Sequence, residues 1–410
     1  MTTSLFVAVS SYLLLGMFAL LAWSGRRLLE LAVLCVPLIY CGYFVLSILV
    51  FSFGEDMPFD YFSRNMLDVY GFVLTMICFH FFAVLAAMRF VDLLDNRSYV
   101  AVDVNYFRKL DIGITGFLFC ISPAFFVFLA VPNSDLWERP AFIYISASNH
   151  WMRFADLLLF LSAVLTPFIR RNGFKFLCLF VVTTSFLAVG SRSAIVMLIV
   201  FAAVEMLVLR RHRSWVPIAI GLLAFWLLGA ILYLRIVNSG GILPVFQAAF
   251  FSDFSAVSHM VLYGTNYIFN LSFVLNGELL ETVAAEAKWF YYSIIPVPSV
   301  LYDLTAEFNS THRFRANIPY PGFGYAISYM GPFLYIGAVF LSSFGFLLAR
   351  KYLSTRRDIF EAILCFSFFA FPFLIQLQYN LRTGTRLIYV FAAVYFIVAI
   401  LRRIRLRQLA

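Results

Sequence analysis

Residues 174–190 read FKFLCLFVVTTSFLAVG, residues 191–192 read Ser-Arg, and residues 193–209 read SAIVMLIVFAAVEMLVL. Two apolar runs thus abut with almost nothing between them. Each approaches the ~20 residues needed to cross a hydrocarbon core of ~30 Å. Inside lipid the backbone must satisfy its own hydrogen bonds, so such runs are expected as helices. The join Gly190-Ser191-Arg192-Ser193 reads either as a turn between two spans or as a break in one long helix. Working outward, the same kind of run recurs along the chain. Expected spans lie near 4–23, 30–53, 68–90, 111–131, 153–169, 174–190, 193–209, 215–234, 324–349, 359–379 and 386–401. The composition agrees: of 410 residues, 63% are hydrophobic and 12% charged, against roughly half and a quarter in soluble domains. The period-two alternation of an outer-membrane barrel is absent. The expected fold is an all-α polytopic membrane protein of about eleven transmembrane helices with one large external loop.

Basic residues orient the chain by the positive-inside rule. Alternate connections hold Arg26 and Arg27; Arg89, Arg97, Arg108 and Lys109; Arg170, Arg171 and Lys175; Arg210, Arg211 and Arg213; Arg350, Lys351, Arg356 and Arg357. The tail adds Arg402, Arg403, Arg405 and Arg407. These are most of the thirty lysines and arginines. The N-terminus is therefore expected outside and the C-terminal tail inside. The net charge of +9 is accounted for by an anionic inner leaflet, without nucleic acid. No cleavable signal is expected, because no basic region precedes the first apolar run. The six cysteines lie in apolar runs without CxxC spacing and read as packing residues, so no metal site is expected. No nucleotide loop, HExxH or GxSxG motif is present.

Three segments follow. Residues 1–235 form an N-terminal bundle of about eight spans. Residues 236–323 form the external loop. Residues 324–410 hold three spans and a basic tail. The loop is not hydrophilic: Pro244–Leu262 and Leu279–Ile295 read as amphipathic helices lying at the interface. Glu278, Glu281 and Glu286 read as acids near the start of the second stretch, where a helix N-terminus favours them. Asn317 to Gly324, rich in proline and glycine, reads as a rigid non-helical lead into the next span. No internal repeat of the transporter kind is found.

External arginines run against the positive-inside bias. Arg192 stands between two spans and Arg235 ends the eighth. Arg313 and Arg315 follow His312 late in the loop. Arg382 and Arg386 flank Thr383-Gly384-Thr385. A guanidinium fork suits phosphate oxygens, and two arginines four apart share a helix face about 6 Å long. That separation could bracket a diphosphate. The bland alternative is snorkelling toward headgroups. A base for an attacking hydroxyl stays open among the external acids and histidines, with Glu278 and His312 the named candidates. Within spans, His80 is expected hydrogen-bonded inside the bundle, Glu205 paired with Arg210 or Arg211, and Asp156 with Arg153.

These features, in this order, resemble the O-antigen (Wzy-type) polymerases, which assemble oligosaccharide repeat units of bacterial surface polysaccharide. The likeness is carried by the span number, the large loop in the C-terminal half, the Gly-Ser-Arg element at 190–192, and the stretch Pro319-Tyr320-Pro321-Gly322-Phe323-Gly324 running to Gly331-Pro332. A second large loop sometimes described in that family is missing. The resemblance implies an inverting, metal-independent glycosyltransferase of the bacterial inner membrane, without cofactor, whose substrates are oligosaccharides on undecaprenyl diphosphate. A chain-length regulator and a flippase of the same pathway would be its partners. Arg192, Arg235, Arg313, Arg315, Arg382 and Arg386 would contact the diphosphate. A glycan ligase shares the layout, and a transporter of lipid-linked sugar is the rival from another class.

Overall fold

The computed structural model describes residues 10–11, 13–19, 28–52, 66–94, 111–140, 150–191, 193–206, 215–252, 254–295, 307, 312–315, 318–353, 368–370 and 372–408. The chain divides into two compact units, Met1–Val102 with Tyr267–Ala410, and Asp103–Asn266. Nearly every described element is a helix. Four of them are long and apolar enough to cross a membrane: Leu67–Leu93, Gly113–Ala130, Trp215–Val237 and the first part of Pro332–Leu353. The chain is thus all-α with membrane-crossing helices. The expected spans 4–23 and 359–379 fall partly outside the described residues.

The first unit contains α1 (Leu28–Ser52) and α2 (Leu67–Leu93). Arg89 near the end of α2 pairs with Glu30 at the start of α1, 2.8 Å apart, so the two run antiparallel. One apolar core gathers Phe44, Tyr70, Phe81, Phe273, Phe323 and Phe373. Burial of such aromatics dominates core energetics. The single span expected over 324–349 is instead two helices. Gly331, at φ +74°, breaks it ahead of Pro332, which has no N–H to continue a ladder.

The second unit contains α3 (Gly113–Ala130), α4 (Asn133–Trp137), α5 (His150–Leu165), α6 (Asn172–Ala188), α7 (Ser193–Val204) and α8 (Trp215–Val237). The join at 190–193 is a turn. Gly190 adopts φ +71°, its N–H reaches Leu187 O and that of Ser191 reaches Phe186 O, both at 2.9 Å. This pattern ends a helix with a left-handed residue that glycine alone adopts freely. Lys175 at the start of α6 meets Glu205 just past α7 at 2.5 Å, so α6 and α7 form an antiparallel hairpin. Glu205 therefore pairs with Lys175; Arg210 and Arg211, its expected partners, lie outside the described residues. Both side chains of the pair are buried. Asp156 buries its Oδ1 without a hydrogen-bond partner among the described residues, and the side chain of Arg153 lies outside them.

The loop reading also needs correction. Pro244–Leu262 is not one stretch but α9 (Ile242–Phe251) followed by α10 (Phe254–Thr282). Instead of lying across a surface, α9 folds back along α8. The Trp226 indole donates to Ala249 O at 2.8 Å and its ring stacks on Phe254 at 4.9 Å, about three turns short of the end of α8. Leu279–Ile295 is likewise broken. Glu278 and Glu281 sit at the C-terminal end of α10, where the helix dipole disfavours acids. Only Glu286 stands at a helix start, as the N-cap of α11 (Ala287–Ile294). The division between the two units falls within α10.

The rest of the first unit is a short hairpin, β1 (Arg313–Arg315) with β2 (Ile318–Pro319), then α12 (Gly322–Met330), α13 (Pro332–Leu353) and α14 (Leu381–Gln408).

Candidate functional site

The densest arrangement of polar side chains in the first unit forms where α14 begins. The last carbonyls of a helix have no partner within it, and for α11 these belong to Tyr292, Ser293 and Ile294. All three are met from α14. Arg382 donates to Tyr292 O, Thr385 Oγ1 to Ser293 O at 2.6 Å, and the Tyr389 hydroxyl to Ile294 O. The spacing 382, 385, 389 is one face of a helix. Arg382 also lies 3.7 Å over the Tyr292 ring, a cation–π contact that gains strength as it is desolvated. Arg382 is buried, whereas Arg386, one turn on, is exposed.

Close backbone approaches fix this junction. The Gly322 N–H bonds Tyr379 O at 2.8 Å, and a Cβ on Gly322 would sit 2.4 Å from Leu381 Cα. Gly384 lies against Gln376 just as tightly. Asn276 of α10, fully buried, accepts from Gly324 N at 2.7 Å and donates to Leu377 O at 3.0 Å and Ser272 O at 2.6 Å. It thereby caps α12 from a distant helix and holds the strand of chain leading to α14.

His312 stands beside this junction in an aromatic surround. Its ring meets Trp289 at 5.0 Å, Tyr325 at 5.4 Å and Tyr320 at 5.7 Å edge-on, and its Nε2 is 3.3 Å from the Tyr325 hydroxyl. The hairpin then carries Arg313, which is exposed, and Arg315 in the same strand. Lys288 covers Trp289 and pairs with exposed Glu307 at 2.9 Å.

Behind the start of α14 lies a cavity of about 320 Å³. Its wall is mostly apolar, from Phe290 and Ile294 of α11, Met330, Phe369, Phe373 and Ile388. A few polar groups interrupt it, namely Gln376, Thr385 and the pair His80–Tyr335, joined at 2.8 Å from Nδ1 to hydroxyl. His80 is hydrogen-bonded inside the bundle, as expected.

Of the residues singled out from sequence, His312, Arg313 and Arg315 lie at the hairpin and Arg382 and Arg386 at the start of α14, all in the first unit. Glu278 is exposed near the end of α10. Arg235 is exposed in the last turn of α8, in the second unit. Arg192 lies outside the described residues. Sequence reasoning missed Asn276, Tyr292, Tyr335 and Gln376. Asn276 could have been noticed as a polar residue inside the run 273–280, four after Ser272. The others carry no sequence signal apart from their packing. It also undervalued Arg139, whose backbone pairs with Gly240 at 2.9 Å and whose guanidinium is buried against that glycine. Burial pushes the Arg139 pKa down and Asp135 pulls it part of the way back.

Compared with protein-family models, with curated proteins and with solved structures, the chain matches none.

Proposed function

We propose that this chain is a glycosyltransferase of the bacterial inner membrane that polymerises oligosaccharide repeat units carried on undecaprenyl diphosphate. In this reading the chain crosses the membrane about eleven times, and residues 236–323 belong to the external side. The observation that carries the proposal is that one helix, α14, supplies both lining residues of an apolar cavity and two arginines. Leu381, Thr385 and Tyr389 line the cavity, while Arg382 and Arg386 stand among them on the same helix. That arrangement fits an amphiphile with an apolar tail and an anionic head.

In the reaction, a hydroxyl of the acceptor sugar attacks the anomeric carbon of the donor. A new C–O bond forms, the bond from that carbon to the diphosphate breaks, and lipid diphosphate leaves with the electron pair. The hydroxyl proton passes to a base, for which His312 is the best-placed candidate beside the hairpin. Charge builds on the leaving group, and preorganised guanidinium groups stabilise it as it develops. Arg313, Arg315 and Arg386 are assigned to that charge. Arg382 is assigned a shared role, since it also holds the end of α11.

The reading is tested by reconstituting the full-length chain in vesicles with an undecaprenyl-diphosphate-linked repeat unit as sole substrate. A ladder of products differing by one repeat is the expected result. Transfer of a single glycan only when a lipid A core is added would replace the polymerase with a ligase. Movement of substrate across the vesicle without bond formation would replace the enzyme with a transporter.

A further inference from the structure

The second unit carries a groove that the proposed reaction does not use. It is about 450 Å³ in volume and runs between α6 and α8, with α7 as floor and α9 closing its far end. Its walls are apolar apart from Thr183 and Thr184, and include Phe176, Phe180, Leu198, Trp215, Leu223 and Phe250. Several of these are exposed, Trp215 by 63% and Phe180 by 59%. Exposed aromatic walls on helices of membrane-crossing composition face hydrocarbon, so a chain of hydrocarbon fills such a groove.

Depth and charge identify which lipid it is. Along α8 the groove extends from Trp215, the first residue, to Leu227. At ~1.5 Å per residue this is about 18 Å, close to the ~15 Å of one leaflet's share of the core. Trp215 is an interfacial type of residue at the shallow end. That end also adjoins the first turns of α6, directly after Arg170 and Arg171, both exposed. By the positive-inside reading it is the inner face. A lipid-linked glycan with its head outside would approach from the opposite leaflet.

We propose that this groove binds one anionic phospholipid of the inner leaflet. One acyl chain lies along α8 beneath α9, and the headgroup phosphate rests with Arg170 and Arg171 beside the exposed N-terminus of α6. α9 sets the depth at which the chain stops, because Val245, Phe246 and Phe250 close the groove there.

The test is native mass spectrometry of the full-length protein released from nanodiscs of equal phosphatidylglycerol and phosphatidylethanolamine. One retained phosphatidylglycerol is expected. Replacing Arg170→Ala and Arg171→Ala should weaken the preference roughly fivefold per arginine. Ala219→Phe, which fills the groove from α8, should abolish retention of either lipid. Equal retention of the two lipids by the unaltered protein overturns the proposal. So does displacement by undecaprenyl phosphate that is itself lost in Ala219→Phe, which would give the groove to the substrate. Should Ala219→Phe not fold, phosphatidylglycerol bearing a mid-chain diazirine is photolysed on the unaltered protein. Labelling within 176–187 or 215–227 supports the site, and labelling only elsewhere overturns it. The site lies wholly within Asp103–Asn266, so its failure leaves the reading of the other unit's cavity untouched.

Discussion

Arg382 and Arg386 stand one turn apart on α14, yet their surroundings assign them different work. Arg382 stacks on Tyr292 and donates to its carbonyl, so removing it strips a buried acceptor of its partner. Such a loss costs about 1–3 kcal/mol, and the lost cation–π contact adds to it. Arg386 is exposed. Arg382→Ala is therefore expected to lower the yield of folded protein along with chain length. Arg386→Ala is expected to shorten the polysaccharide by weakening contact to the leaving diphosphate, with abundance unchanged. Loss of one such donor typically lowers the rate by about 10²–10³. Arg386→Lys should restore only part of the rate, because a point charge cannot grip two oxygens. Immunoblotting and polysaccharide ladders in the same cells separate the two effects. Normal ladders from Arg386→Ala would remove it from the site. Sequence alone marked both arginines for their place near a span, but it could not tell them apart. The carbonyl that Arg382 serves is about ninety residues away in the chain.

Among elements, helix ends were more legible than helix partners. Gly190, Gly241 and Pro332 punctuate the chain where their backbone chemistry demands it, as do Pro321 and Gly322 at the start of α12. The depth of α9 was not legible. Its apolar face reads the same whether it lies on a bilayer surface or along α8, and only the long-range bond from Trp226 to Ala249 decides. The α6–α7 hairpin illustrates both sides. Its turn is written in Gly190, but its ion pair is not, because Lys175 and Glu205 are thirty residues apart. Both are about 1% exposed. Breaking a buried pair from one side leaves an uncompensated charge and costs about 3–5 kcal/mol, whereas replacing both by apolar residues is often neutral or better. Lys175→Met alone and Glu205→Leu alone are thus expected to lower the melting point and yield. The double replacement should recover most of the loss. Size-exclusion profiles after stepwise heating provide the measurement, and a double variant no better than the singles would show that the pair does more than hold the hairpin.

At the scale of the whole molecule, charged contacts mark one end of the helices in each unit. In the first, Glu30 pairs with Arg89, and Lys351 reaches Leu94 O at 3.3 Å. The Arg382 junction belongs to the other ends of α2 and α13. In the second unit Asp111 accepts from the Arg170 backbone at 3.3 Å and Lys175 meets Glu205, while the Gly190 turn and the Arg139–Gly240 bridge lie at the far end. Helices cross each unit from one such end to the other, as an alternating topology requires. The element that could upset the proposed sidedness is α10. It has 29 residues and, at ~1.5 Å each, exceeds the thickness of a hydrocarbon core. If it led inward from the inner end of α9, residues 283–323 would be cytoplasmic and the cationic junction would face the wrong compartment. Phe254 instead stacks on Trp226, and Val257 and Val261 lie against Gly229, so it leads back toward the end of α8. Its composition agrees. Asn270, Asn276, Glu278 and Glu281 fall in its second half, and charged or amide groups at membrane depth are costly. Fusions of a reporter after Arg211 and after Arg403 are therefore expected to report cytoplasm, and one after Glu281 periplasm. Single cysteines refine the picture: Asn238→Cys at the end of α8 should react with a water-soluble maleimide, and Ser252→Cys, at the inner end of α9, should not. A cytoplasmic signal at Glu281 would reverse the proposed sidedness, and the arginines of the hairpin and of α14 could not then serve an external substrate.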